Sequence, residues 1–545
     1  MQHTPFHWPN PYASQRSPVF ARNLVATSHP LAAQAGLKML GNGGNAIDAA
    51  IAAAAAMTIL EPCSNGLGSD LFAIVWDGTQ LHGLNASGGA PQAWTPQYMR
   101  GKHGNDITTP PKRGWDSVTV PGAVAGWVAL ADKLGTLPLA DLLAPAIEIA
   151  ERGYPVPPVI QHKWAAAAAL PELTSQPGFA DTFMPHGRAP QVGERFALPD
   201  AARTLALIAR TKGEGFYRGE VAQAAERHAR EHGGAMTAAD FAAYAPEWVQ
   251  TISQRYRDVE VHEIPPNGQG IAALIALGTL EHFDLASMAI DSAACQHLQI
   301  EAMKLAFADT YAFVSEPRTM RVTPAQMLDA SYLAERAKLI DPRRAQDFAA
   351  GNPVRGGTIY LTAADAQGRM VSLIQSNYMG FGSGVVIPGY GVSLQNRGHG
   401  FTLAERHANV VGPGKRPFHT IIPGFVMRDG APLMSFGVMG GNMQPQGHVQ
   451  TLVRMIDHAQ QPQAACDAPR WRFNQGLDLN VEAAMSAATV EALRAMGHRI
   501  DGFADSYQDF GAGQFIWLLG DPGDPAVDGY VAASDSRRDG AAVGF

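Results

Sequence analysis

The stretch from Ala46 to Leu60 holds 15 residues, almost all alanine or larger apolar types, with the single charge Asp48. That is short of the ~18–20 apolar residues needed to cross a bilayer. A helix apolar on every side that does not span a membrane has to be buried, and its small side chains let neighbouring elements approach closely. Helical periodicity over Pro30–Leu40 leads into it and is stopped by Gly41-Asn42-Gly43-Gly44-Asn45, a glycine-rich cap and turn. Beyond it, Ser64-Asn65-Gly66-Leu67-Gly68-Ser69-Asp70 turns into Leu71–Trp76, an apolar run suited to a buried strand.

A wholly buried helix requires a large core, and the chain can supply one. Its 545 residues are 46% hydrophobic and 17% charged, which predicts a globular protein of two or more domains or one large composite domain. The net charge of −8 comes without any block of lysine and arginine, so neither nucleic acid nor an anionic membrane surface is an expected partner. Cys63, Cys295 and Cys466 are odd in number and far apart, which argues against a disulfide framework and a structural zinc site. The N-terminal residues show no basic segment followed by an apolar one, so no signal peptide is read and a cytoplasmic location is expected.

Helical patterns run intermittently from Val120-Pro121-Gly122 to about Arg230 and resume over 269–282 and 292–313. His228 and His232 lie four apart, the spacing of two metal ligands on one helix face. No H-E-x-x-H pattern accompanies them and Gly233-Gly234 follows at once, so a solvated helix end is expected and no metal. From residue 358 the apolar runs become short and are separated by glycine turns, as strands are. Gly380-Phe381-Gly382-Ser383-Gly384 leads into a strand rather than a helix, which excludes a phosphate cradle.

The change of texture falls at Gly356-Gly357-Thr358-Ile359-Tyr360-Leu361-Thr362. Taken alone, Thr358 opens a strand after a glycine turn. Were the Gly357–Thr358 bond cut, Thr358 would hold a hydroxyl nucleophile beside its own α-amine, a base that titrates near pH ~8.

With these residues in view, the chain resembles the γ-glutamyltransferase family of N-terminal nucleophile hydrolases, and its oxamate amidohydrolase-like members most. The resemblance is carried by Leu31-Ala32-Ala33-Gln34-Ala35-Gly36-Leu37, Gly43-Gly44-Asn45-Ala46-Ile47-Asp48-Ala49-Ala50 and Val120-Pro121-Gly122. It continues in Glu301-Ala302-Met303-Lys304-Leu305-Ala306-Phe307-Ala308-Asp309 and in Ser534-Asp535-Ser536-Arg537-Arg538-Asp539-Gly540-Ala541-Ala542. It implies a mixed α/β (α+β) fold, a four-layer αββα sandwich. It also implies a precursor that cuts itself into fragments 1–357 and 358–545, which stay intertwined as a heterodimer, alone or paired into a larger assembly. No cofactor is implied.

By the same resemblance Thr358 attacks the Gly357 carbonyl during processing and a substrate amide afterwards. Ser376 is the hydroxyl that hydrogen-bonds the threonine, and otherwise an ordinary strand serine. Gly440-Gly441 is the pair whose N–H groups form the oxyanion hole, and outside the family pattern it would be a turn. The substrate pocket departs from the family. Ser87 stands where the family has an arginine, His419-Thr420 replace a serine pair, Tyr378 replaces an asparagine, and Arg397-Gly398-His399-Gly400 occupies the stretch that should carry an acid. Arg397 instead offers a planar donor fork suited to a carboxylate, or else forms a structural ion pair.

The loop between Phe401 and Pro417 is short for a lid, so an open site favouring water over an amine acceptor is expected. The expected function is hydrolysis of a γ-glutamyl or other small carboxylate-bearing amide through an acyl-enzyme. Oxamate amidohydrolase-like and cephalosporin or glutaryl acylase-like activities are the alternatives, and a non-catalytic binding scaffold is the competing class.

Overall fold

A computed structural model describes residues 16–348, 357–503, 510–520 and 528–545; Gly356 and the N-terminal stretch read above lie outside them. Two seven-stranded sheets, antiparallel throughout, face each other. In the first sheet the order is Val19–Ala21, Tyr530–Ser534, Ala512–Leu518, Ala431–Met439, Gly424–Arg428, Val259–Glu263, Ile252–Tyr256. In the second it is Ala541–Gly544, Leu24–Thr27, Gly357–Ala364, Met370–Tyr378, Asp70–Trp76, Leu81–Ala86, Glu247–Val249. Each sheet combines strands from before residue 358 with strands from after it.

Phe72, Ile374, Phe425 and Ile516 fill the space between the sheets. Polar contacts key it as well: the Thr362 and Ser435 hydroxyls meet at 2.6 Å, and Gly437 admits the Tyr360 ring where a Cβ would collide at 2.4 Å. Helices cover both outer faces, those before residue 242 on the second sheet and Gly270–Leu280, Ala293–Phe313 and Met443–Leu452 on the first. The result is the four-layer αββα sandwich.

The helix Ala46–Leu60 is buried along its whole length. Asn45 and Asp48 close its N-terminus as a capping box, and Asp48 also accepts from the backbone N–H of Thr136 at 3.0 Å, so the lone charge of the segment is consumed in capping. The alanine surface lets Gly36 of the preceding helix lie so close that a Cβ there would sit 2.8 Å from the Ala49 carbonyl oxygen. All three cysteines are free and buried, and no helix among the described residues is long and apolar enough to cross a membrane. His228 corrects one expectation: it is buried against Trp115, with ring centroids 5.7 Å apart, rather than solvated at a helix end.

Candidate active site

Thr358 is the second residue of the strand Gly357–Ala364, third in the second sheet. Gly357 pairs with Tyr378 and Ile359 with Gln375, so Ser376 and Asn377 together oppose Thr358 alone. This bulge bends the partner strand and re-aims its side chains. The bend closes at Tyr378, which adopts φ +75°, a left-handed conformation rare for an aromatic residue. Its backbone N–H donates to the Ser376 hydroxyl at 2.8 Å, and that hydroxyl meets Thr358 Oγ1 at 3.1 Å.

Arg397 lies on a short turn beside this pair, entirely buried. Its Nη2 donates to Ser376 Oγ at 3.4 Å and its Nη1 to Thr420 Oγ1 at 2.7 Å, while the guanidinium stacks over the Tyr378 ring at 4.1 Å. Its Nε has no partner. Among the described residues no carboxylate comes within ion-pairing distance of it, so the structural ion pair considered from sequence is absent. Burial draws its pKa down to about 10, opposed mainly by the more distant Asp70. A buried cation with donor capacity left over is set to receive an anion.

The strand Ala431–Met439 ends in Gly440 and Gly441, with φ +121° and +63°, before the helix Met443–Leu452 begins. Only glycine takes such a φ pair without strain. Among the described residues neither glycine N–H has an acceptor, and both stand at the positive end of that helix. The Gly441 carbonyl accepts from Gln444 N at 3.1 Å and from Gln269 Nε2 at 2.9 Å, and the same Gln269 amide donates to the Thr420 carbonyl at 2.7 Å. One chain of hydrogen bonds therefore runs from Thr358 through Ser376, Arg397, Thr420 and Gln269 to Gly441.

Two predicted residues stand apart from that chain. The His419 ring donates through Nε2 to Asp70 at 2.9 Å and accepts at Nδ1 from the Ile421 N–H at 3.4 Å, leaving no ring nitrogen for a ligand. Burial and the cations Arg397 and Arg416 keep it neutral. Ser87 donates to Asn85 at 2.7 Å and borders a separate cavity of about 940 Å³ that reaches Arg416 and Tyr244. The expectation of an open site concerns the mature enzyme; in the uncut chain the threonine is enclosed. Thr358 is 2% exposed, and the 401–417 loop is pinned by Asn409, which donates to Gly400 O at 2.7 Å and accepts from Phe418 N at 2.9 Å.

Sequence reasoning passed over Asp70 and Gln269. Asp70 had a visible signal, a charge at the mouth of an apolar strand; Gln269, at the cap of a helix, had none. The one compact group of potential metal ligands among the described residues, His297, Glu301 and His498, lies in the outer helix layer and is closed internally. His297 and His498 are hydrogen-bonded at 2.8 Å, and Lys304 holds Glu301 at 2.7 Å.

A glycine-preceded threonine at a strand start, in a sandwich of two antiparallel sheets between helix layers, is the arrangement of the N-terminal nucleophile hydrolase class. The family model described as gamma-glutamyltranspeptidase matches residues 32–545, and the chain belongs to that family. It is 35% identical over 541 residues to the glutathione hydrolase-like YwrD proenzyme of Bacillus subtilis, covering 97% of this chain and 100% of that one. It is 34% identical over 544 residues to the oxamate amidohydrolase proenzyme of Klebsiella pneumoniae, covering 97% and 99%. The crystal structure of cephalosporin acylase from Bacillus halodurans superposes with a TM-score of 0.93 at 47% identity, covering 100% of this chain and 99% of that one.

Proposed function

We propose that this protein is a self-processing amide hydrolase whose substrate carries a carboxylate close to the scissile carbonyl, as oxamate does. In the precursor the Thr358 hydroxyl attacks the Gly357 carbonyl and its oxygen takes over the acyl bond as nitrogen leaves. That shift frees the Thr358 α-amine, and water then hydrolyses the ester, releasing the Gly357 carboxylate and restoring the Thr358 hydroxyl. The cut yields fragments 1–357 and 358–545 as one heterodimer. In the mature enzyme that amine takes the hydroxyl proton, Thr358 Oγ1 attacks the amide, the nitrogen departs protonated, and water releases the acid from the acyl-enzyme. Ser376 orients the hydroxyl, and the N–H groups of Gly440 and Gly441 receive the oxyanion, where each donor is worth ~3 kcal/mol.

The observation that carries the substrate assignment is the position of Arg397. Its guanidinium lies two hydrogen bonds from the nucleophile and has an unpartnered N–H. An acyl group held by its carboxylate there and by its carbonyl at Thr358 is short. A γ-glutamyl group also needs an acid for its ammonium, and Gly400 supplies none. The test is a panel of oxamate, glutathione and a glutaryl amide given to the cleaved enzyme. Oxamate should be turned over best; efficient hydrolysis of glutathione with poor hydrolysis of oxamate overturns the assignment.

A further inference from the structure

Asp70 and Arg397 are joined by two short bridges. Ser376 is the cross-strand partner of Asp70 and accepts from Arg397, while the consecutive residues His419 and Thr420 bind Asp70 and Arg397 respectively. Both charged side chains are fully buried. Asp70 is the foremost charge opposing the loss of the Arg397 proton, yet stays beyond ion-pairing distance, so the cation is balanced without being occupied.

We propose that Asp70 is a specificity-determining residue: it is the countercharge of Arg397, and its protonation sets how strongly the site holds an anionic acyl group. This rests on the reading of Arg397 as the carboxylate anchor. With Asp70 neutral, Arg397 is a lone buried cation and an incoming carboxylate feels its full field. With Asp70 ionised, the two charges cancel at short range and the same carboxylate is held less tightly.

The groups that face Asp70 identify it as the one that titrates. The backbone N–H groups of Gly122 and Gly88 donate to it, the former at 3.2 Å, and His419 donates while remaining neutral. Burial pushes the phenols of Tyr217 and Tyr244 above their usual range, and both also feel its charge. Arg416 acts on His419 and is itself paired with Glu316 and Glu247. Burial lifts Asp70 to about 7, with Arg397 pulling the other way.

The test compares oxamate with oxamide, an anionic and a neutral amide of one size, on the cleaved wild-type enzyme across neutral pH. Titration of the Thr358 amine affects both substrates and cancels in the ratio of their kcat/KM values. That ratio should fall about tenfold from slightly acid to slightly alkaline pH, the scale of one nearby charge at intermediate dielectric. In Asp70→Asn it should stay flat at or above the acid-side value. A purely structural Asp70 would not move a ratio that depends on substrate charge. A wild-type ratio that favours oxamate equally at every pH, or a variant that keeps the wild-type slope, overturns the role of Asp70 alone. No preference for oxamate at any pH, or turnover of neither amide, overturns the anchor reading and this inference with it. Should Asp70→Asn fail to fold or cleave, the wild-type profile decides.

Discussion

Two arginines are buried in this molecule under opposite conditions. Arg537, near the C-terminus, binds Glu482 through Nε at 2.7 Å and Nη2 at 2.6 Å, and Asp535 through Nη1 at 3.1 Å; Arg470 completes the cluster on Asp535 at 2.8 Å. Its pKa is raised by those carboxylates, and Asp535 is held well below the usual carboxylate range against the cost of its burial. Arg397 has two hydroxyls, a ring face and an unpartnered N–H, and its pKa is drawn down. A saturated buried arginine holds structure together. An unsaturated one destabilises the empty site and is repaid only when an anion arrives.

The comparison predicts that chemistry and stability separate between the two regions. Thr358→Ala should abolish both fragment formation and turnover while remaining a folded single chain with a cooperative melt, because one buried hydroxyl and one methyl are lost, a cost of about 1–2 kcal/mol. Intact mass and a thermal melt check it, and cleavage before residue 358 in that variant would remove Thr358 from the mechanism. Arg537→Met should do the reverse, costing about 3–5 kcal/mol by removing the guanidinium that two buried carboxylates share. Its loss of activity should track its loss of folded protein.

Arg397→Met sharpens the contrast. It should lower kcat/KM for carboxylate-bearing amides about a hundredfold, the scale of charge-assisted hydrogen bonds, with stability unchanged or improved. A melt depressed as far as that of Arg537→Met would make Arg397 structural after all. Gln269→Leu should lower turnover per titrated active site about tenfold by loosening the Gly441 carbonyl, with smaller effects on substrate affinity. An unchanged kcat would mean that Gln444 suffices to hold that loop.

A further contrast is in stability against pH, and the two regions give it opposite signs. Asp535 has a folded pKa below its unfolded value of about 3.9, so its contribution is complete above that pH and is lost in stronger acid. Asp70 has a folded pKa raised to about 7, so the folded state binds its proton more tightly and stability falls as pH rises from about 4 to 7. Unfolding midpoints at these pH values should show that decline in wild type and not in Asp70→Asn.

What could be read from the sequence was local. The buried alanine helix, the strand start at Thr358 and the turn at Gly440-Gly441 each declare themselves within a few residues, through hydrophobic pattern or a backbone that only glycine permits. The pairing of His419 with Asp70 spans 349 positions, and the Gln269 contacts with Thr420 and Gly441 span 151 and 172. No periodicity encodes such contacts, so His419 was assigned to the substrate when its ring belongs to Asp70. Arg397 was visible as a cation, but its lack of a carboxylate partner among the described residues is a property of the packed site.

The sharing of each sheet between strands from either side of residue 358 changes the order of the folding reaction. As a single chain the protein folds at a rate independent of its concentration. Once cut, each sheet is a woven product of two molecules, and unfolding releases them to diffuse apart. Reassembly becomes second order, and at dilution slower than aggregation of the exposed strands. Maturation thus works as a ratchet, in which the sandwich is assembled while the chain is one piece and afterwards persists by its barrier to opening rather than by an equilibrium it can revisit.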